Sequence, residues 1–151
     1  MPERAQLAEL KIPADGEFIP VAKMVVASLA SQLGFTLEEI DELKIAVAQG
    51  CEAIIEEAQE LWGGYRGVLR LAYGMTERGI VVDVSVLAPK ALPGRVVADV
   101  PTPPRPSLSE VEMQERALAR DVIRLFVDDI RHQVDSGQGQ IRVRMVKYVV
   151  R

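Results

Sequence analysis

At 151 residues, 48% apolar and 26% charged, the chain has the size and composition of one soluble globular domain with a substantial core of its own. It contains no uninterrupted run of about 18 apolar residues, so no membrane-spanning segment is expected. A net charge of −4 argues against a general nucleic-acid binder, and the single cysteine, Cys51, excludes an internal disulfide. The N-terminal MPERAQLAEL lacks the apolar stretch of a signal peptide, and with the unpaired cysteine this sets the expectation of a cytoplasmic protein.

The segment Ala5 to Pro13 alternates Ala8, Leu10 and Ile12 with polar residues and closes on a proline that cannot continue a ladder, which predicts a first strand. Asp15-Gly16 predicts a turn. Ile19 to Leu33 reads as a helix, with Pro20 in the first turn, Gly34 as the cap, and Val21, Met24, Val25, Leu29 and Leu33 as the buried face. The strongest signal in the chain follows almost at once. Thr36 and Glu39 form a capping box, and Ile40, Leu43, Val47, Cys51, Ile54, Ala58 and Leu61 then recur in steps of three and four along one helical stripe. Gln49, Glu52, Ala53 and Glu56 lie beside that stripe as a narrow margin fit to line a groove, and Gly63-Gly64 stops the helix.

Two strands are predicted next, Arg66 to Tyr73 with Leu69, Leu71 and Tyr73 on one side, and Ile80 to Leu87 with Ile80, Val82, Val84 and Val86 on one side. Gly74 to Gly79 between them reads as a hairpin loop. Six of the nine prolines then fall between Ala88 and Pro106, a composition that cannot donate a regular set of backbone hydrogen bonds and predicts a long surface connection. Ser109 and Glu112 make a second capping box, opening a helix to about Val134 with Leu118, Val122, Leu125, Phe126 and Ile130 inward. The loop Asp135 to Gly139 leads to a last strand, Ile141 to Val150, in which Ile141, Val143 and Met145 alternate with Arg142, Arg144 and Val146. Charge is segregated along the chain. Glu38 to Glu60 carries a local balance of −7 and Arg116 to Arg151 one of +4, which reads as two solvated faces, with a partner-docking surface as the alternative.

The helix LKIAVAQGCEAIIEEA resembles that of RsbW-like anti-sigma factors, which are serine kinases on the GHKL (Bergerat) ATP-binding fold. ELKIPA resembles the family's opening strand, IVVDVSVL the strand leading to the nucleotide, and IRVRMVKYV the closing strand. The resemblance implies an α+β fold: a two-layer α/β sandwich of Bergerat type, with a mixed, mostly antiparallel sheet and three main helices on one face. It makes residues 1–151 one domain, with the proline-rich connection 88–107 in place of the ATP lid. In that family the helix carries Glu-x-x-x-Asn, the glutamate as base and the asparagine on magnesium, and the matching positions here are Gln49 and Ala53. An amide takes no proton at neutral pH and a methyl group offers no oxygen to a hard cation. The family's Asp-x-Gly-x-Gly falls on Ala88 to Leu92, and its phosphate-approaching glycines fall near Ala117 and Ala119. Cofactor binding at Gln49, Ala53, Ala88, Leu92, Ala117 and Ala119 is therefore expected to be degenerate, with no catalytic residue and no metal ligand.

The other candidates carry bland readings. The literal Asp-x-Gly-x-Gly at Asp135 to Gly139 lies after the last predicted helix, where the family needs only a turn. Glu52 and Glu56 read as a solvated acidic margin, Cys51 as a small buried hydrophobe, and Trp62 as a packed helix-end residue, with an interface anchor as its alternative. The lone His132 reads as a structural residue near a helix C-terminus, and Arg142 and Arg144 as a solvated strand face, with an acidic partner as the alternative. The resemblance implies partners in a bacterial partner-switching circuit, a sigma factor or an anti-sigma antagonist, and self-association as a homodimer; the missing motifs add the expectation that the chain needs no cofactor and lacks kinase activity. Two other readings stand beside it: an ATP- and magnesium-dependent serine kinase with divergent motifs, and a small-molecule sensor using the emptied nucleotide pocket.

Overall fold

The computed structural model describes residues 5–61, 67–87, 123–135 and 140–148. Strand β1 (Ala5–Pro13) leads through a short 3₁₀ turn (Gly16–Phe18) into helix α1 (Ile19–Gln32) and then α2 (Leu37–Leu61). Strands β2 (Val68–Thr76) and β3 (Gly79–Leu87) follow, then a helical turn at 123–126, then β4 (Asp129–Asp135) and β5 (Gln140–Tyr148). The five strands form one sheet in the order β1-β2-β3-β5-β4, and every pairing among them is antiparallel. The helices cover one face. This is the two-layer α+β sandwich that the element order implies.

The local signals act as their chemistry predicts. Thr36 Oγ1 accepts from the Glu39 amide at 3.2 Å and Glu39 Oε1 accepts from the Thr36 amide at 3.0 Å, so both halves of the capping box are made. Gly34 takes φ 85°, the left-handed conformation that ends α1, and Pro20 sits in that helix's first turn. Asp15 Oδ1 accepts from the Glu17 amide and caps the 3₁₀ turn.

The core lies between α1, α2 and the inner face of the sheet. Leu69, Leu71 and Tyr73 of β2, Ile80, Val82, Val84 and Val86 of β3, and Ile141, Val143 and Met145 of β5 are all buried, as the alternation requires. On α2 the buried set is Ile40, Leu43, Val47, Cys51, Ile54 and Ala58, widened by Ala46, Gly50 and Ile55. Gly50 lets the helix sit close on the sheet: a Cβ there would stand 3.0 Å from Met145 Cε and 3.3 Å from its sulfur.

Four expectations are corrected. In α1 the buried residues are Ile19, Ala22, Val26 and Ala30, while Val21 and Met24 are exposed. Small side chains bring this helix close enough for the buried Tyr73 hydroxyl to donate to the Ala22 carbonyl at 3.0 Å, so Val21 and Met24 turn outward while Val25, Leu29 and Leu33 pack at the margin of the core. The loop expected over Gly74 to Gly79 shrinks to the turn Glu77-Arg78, because β2 runs to Thr76 and Thr76 pairs with Gly79. Gly79 is required there, since a Cβ would collide with the Lys147 carbonyl of the neighbouring strand. The helix expected to reach Val134 has ended before Asp129, where β4 begins, and Leu125 is exposed. Finally, His132 stands on that strand and not near a helix end. The second capping box at Ser109 and Glu112, the proline-rich stretch 88–107 and the glycines at 63 and 64 lie outside the described residues.

Burial also sets a pH dependence. Desolvation pushes the Cys51 thiol from 9.0 up to about 12, with neighbouring Glu52 adding to the rise, and burial raises the Tyr73 hydroxyl above its usual 10.0. Both folded groups hold their protons where the unfolded chain has begun to lose them. Their stabilisation is therefore complete below about pH 9 and is lost as pH rises from there toward 12. Urea unfolding followed across that window is expected to show a falling midpoint, with a shallower fall in Cys51→Ala; a midpoint that stays level would contradict the burial of the thiol.

Candidate functional site

Helix α2 has two working sides. Its inner acids are engaged with the sheet. Lys147 of β5, buried, donates to Glu42 Oε2 at 2.7 Å and to the Phe126 carbonyl at 3.1 Å. One turn from the other end of the helix, His132 Nε2 of β4 lies 2.7 Å from Glu57 Oε2, both side chains mostly buried. The segregation of charge along the chain is thus partly an interlocking of two layers: acids of α2 meet basic groups of the β4–β5 hairpin. The reading as two solvated faces holds only for what remains outside these pairs.

The outer margin of α2 is different. Gln49 and Ala53 are half-buried on successive turns of the helix, and Glu52 and Glu56 beside them are exposed. Cys51 points into the core and its protonated thiol is no nucleophile at neutral pH. Among the described residues no group of three or more histidine, cysteine, aspartate or glutamate side chains converges on a point that would hold a metal ion. Ala88, Leu92, Ala117, Ala119 and Trp62 lie outside the described residues. Of the stretch Asp135 to Gly139, Asp135 ends β4 as the register partner of Gln140, and positions 136–139 lie outside the described residues.

The second arrangement is on the sheet face away from the helices. Asp83, nearly buried in the central strand, has its Oδ1 held by Arg142 (Nη2 at 3.0 Å, Nε at 3.3 Å) and by Arg144 (Nε at 3.2 Å). On the β1–β2 side, Arg70 Nε donates to Glu9 Oε1 at 2.7 Å and holds that carboxyl below the usual carboxylate range. A cleft between these two groups is lined by Gln6, Arg70, Asp83, Ser85 and Arg142, and a smaller notch beyond it by Arg131, Gln133, Arg142 and Arg144. Arg142 and Arg144 are therefore more than a solvated strand face: they fix a carboxylate in the middle of the sheet.

Compared with curated proteins, the chain is similar from end to end to Serine-protein kinase RsbW of Bacillus cereus, of Bacillus anthracis and of Bacillus thuringiensis. Each is 28% identical over 159 aligned positions, which take in 100% of this chain and 90% of the relative. The chain is RsbW-like. No protein-family model matches it.

The RsbW-like helix permits a chemical test of fit for a magnesium nucleotide. The resemblance sets the family's base and magnesium positions on Gln49 and Ala53, and there an amide and a methyl group stand instead of a carboxylate and an oxygen ligand. The nearby carboxylates of Glu52 and Glu56 stand exposed, and those of Glu42 and Glu57 are engaged on the sheet side. These side chains do not fit the group, and no chemical step is assigned to it. The pairs at either end of the helix are what reading the chain in order missed. The recoverable signal was period-two alternation through Asp129-Ile130-Arg131-His132-Gln133-Val134, which places His132 inward with Ile130.

Removing the ammonium of Lys147 leaves the Glu42 carboxylate and the Phe126 carbonyl without their shared donor. Lys147→Ala is expected to lower unfolding stability by about 3 kcal/mol, while Lys147→Met, which keeps the stem and removes the charge, loses less. Denaturant titration checks this, and a Lys147→Met variant as stable as the natural chain would show that the ion pair contributes nothing beyond packing.

Proposed function

We propose that this RsbW-like protein is a regulator that acts by binding protein partners in a bacterial partner-switching circuit and does not transfer phosphate. The partner is a sigma factor or an antagonist of an anti-sigma factor, and self-association as a homodimer belongs to the same proposal. The observation that carries it is α2 itself: a helix capped, packed and charge-paired to the sheet, whose outer margin offers Gln49 and Ala53 where phosphoryl transfer needs a base and a metal ligand. A fold kept with such side chains still presents a shaped surface to another protein.

The competing reading, an ATP-dependent serine kinase, is favoured by the name its relatives carry. The two readings separate on one substitution. If the chain is a kinase with divergent motifs, Gln49→Glu tunes a rate that the natural chain already shows. If it is a binding protein, there is no rate to tune, because restoring one carboxylate leaves Ala53 without an oxygen. The assay is release of labelled phosphate from ATP and its transfer to serine in a candidate partner, with magnesium present. The natural chain and Gln49→Glu are both expected at background. Turnover by the natural chain that rises about a hundred-fold or more in Gln49→Glu, the range of a restored general base, would establish the kinase instead.

A further inference from the structure

The sheet face away from the helices carries a charge pattern that its own fold does not use up. Strand register sets two rows of side chains across all five strands. One runs Lys11, Arg70, Ser85, Arg142, Gln133, and the next runs Glu9, Ala72, Asp83, Arg144, Arg131. Strand spacing makes each row roughly 19 Å wide. Internal acids meet part of the positive charge: Glu9 faces Arg70 and Lys11, Asp83 faces Arg142 and Arg144, and Asp129 lies 3.7 Å from Arg131. Among these residues five bases stand against three acids, and the arginines gather on the β4–β5 side. Arg131 and Arg144 stand directly opposite each other across β4 and β5, a like-charged pair that destabilises a bare sheet.

The notch between them has Arg131, Gln133, Arg142 and Arg144 as its walls, without a carboxylate. Asp83 Oδ1 takes Nε and Nη2 of Arg142 and Nε of Arg144, which fixes both guanidiniums beside that notch. All three arginines keep a large share of their surface in solvent, 70% for Arg131, 39% for Arg142 and 38% for Arg144. A pre-aimed, half-exposed set of forks is built to receive a carboxylate with little loss of side-chain entropy.

We propose that this face docks an acidic segment of a partner protein, with one partner carboxylate seated in the Arg131–Arg142–Arg144 notch and the segment running across the strands toward Arg70 and Lys11. A polypeptide suits the face better than a nucleic acid does. Asp83 and Glu9 lie in the middle and at the far end of the rows, where a uniformly anionic phosphate backbone meets repulsion and a peptide offers amide donors instead. The surface lies opposite α2, so this docking is independent of what that helix does with nucleotide. It gives the proposed protein-binding role a location, and peptide binding and phosphate transfer are read in separate assays, so either can fail alone.

The test uses the full chain and a fluorescein-labelled peptide in which glutamate alternates with glycine, followed by anisotropy at low ionic strength. Saturable binding is expected, weakening as salt is added. Arg131→Glu, an exposed change that leaves the Asp83 cluster intact, is expected to weaken it at least tenfold, while Lys44→Glu on α2, in the other layer, leaves it unchanged. Arg142→Gln is a poorer probe because it strips a partner from the nearly buried Asp83. Absence of saturable binding would overturn the proposal. So would an Arg131→Glu variant that binds as tightly as the natural chain, an equal loss in Lys44→Glu, or tighter binding of a labelled DNA duplex than of the peptide.

Discussion

The close seat of α2 on the middle of the sheet is the constraint on which the rest of this structure depends. Gly50 removes the side chain that would hold the helix away from Met145, and the stripe from Ile40 to Ala58 then buries against β3 and β5. Near each end of that contact an acid of the helix meets a basic group of the β4–β5 hairpin, Glu42 with Lys147 and Glu57 with His132. A buried ion pair adds little net stability over an apolar substitute, but it penalises any displaced arrangement that leaves a charge alone. A helix pinned at its middle by packing and near both ends by these side-chain pairs has one register on the sheet. That register decides which residues face out, and it sets Gln49 and Ala53 on the outer margin.

The two layers therefore present different chemistry. The helical side shows an amide, a methyl group and exposed acids; the open sheet face shows arginines organised around Asp83. The segregation serves both, since Glu42 and Glu57 meet Lys147 and His132 between the layers while Glu52 and Glu56 stay exposed on α2 and Arg131, Arg142 and Arg144 lie on the far face of the sheet. A surface of this kind steers an oppositely charged protein and sets its orientation more than it sets its affinity.

Much of this was legible in the chain. The capping box at Thr36 and Glu39, the α2 stripe, and the inward sets of β2, β3 and β5 all follow from short-range periodicity, because in each case the buried residues are also the large apolar ones. Where that coincidence fails, the reading fails. Helix α1 buries Ala22 and Ala30 and exposes Met24, since what decides its face is the approach of Tyr73 to the Ala22 carbonyl, a contact between residues far apart in sequence. β4 hides because its inward positions include a histidine, whose partner Glu57 is likewise invisible to periodicity. On the site, the identities of Gln49 and Ala53 were plain from the residues, whereas the grip of Arg142 and Arg144 on Asp83 required knowing that β5 lies beside β3.

The proposal that α2 keeps its packing without nucleotide chemistry on its outer margin is best tested by an amide correlation spectrum of the full chain titrated with ATP and magnesium. Loss of the nucleotide role predicts that the amides of Gln49, Ala53 and their neighbours on α2 stay in place up to millimolar nucleotide. Saturable shifts centred on those two residues would contradict it.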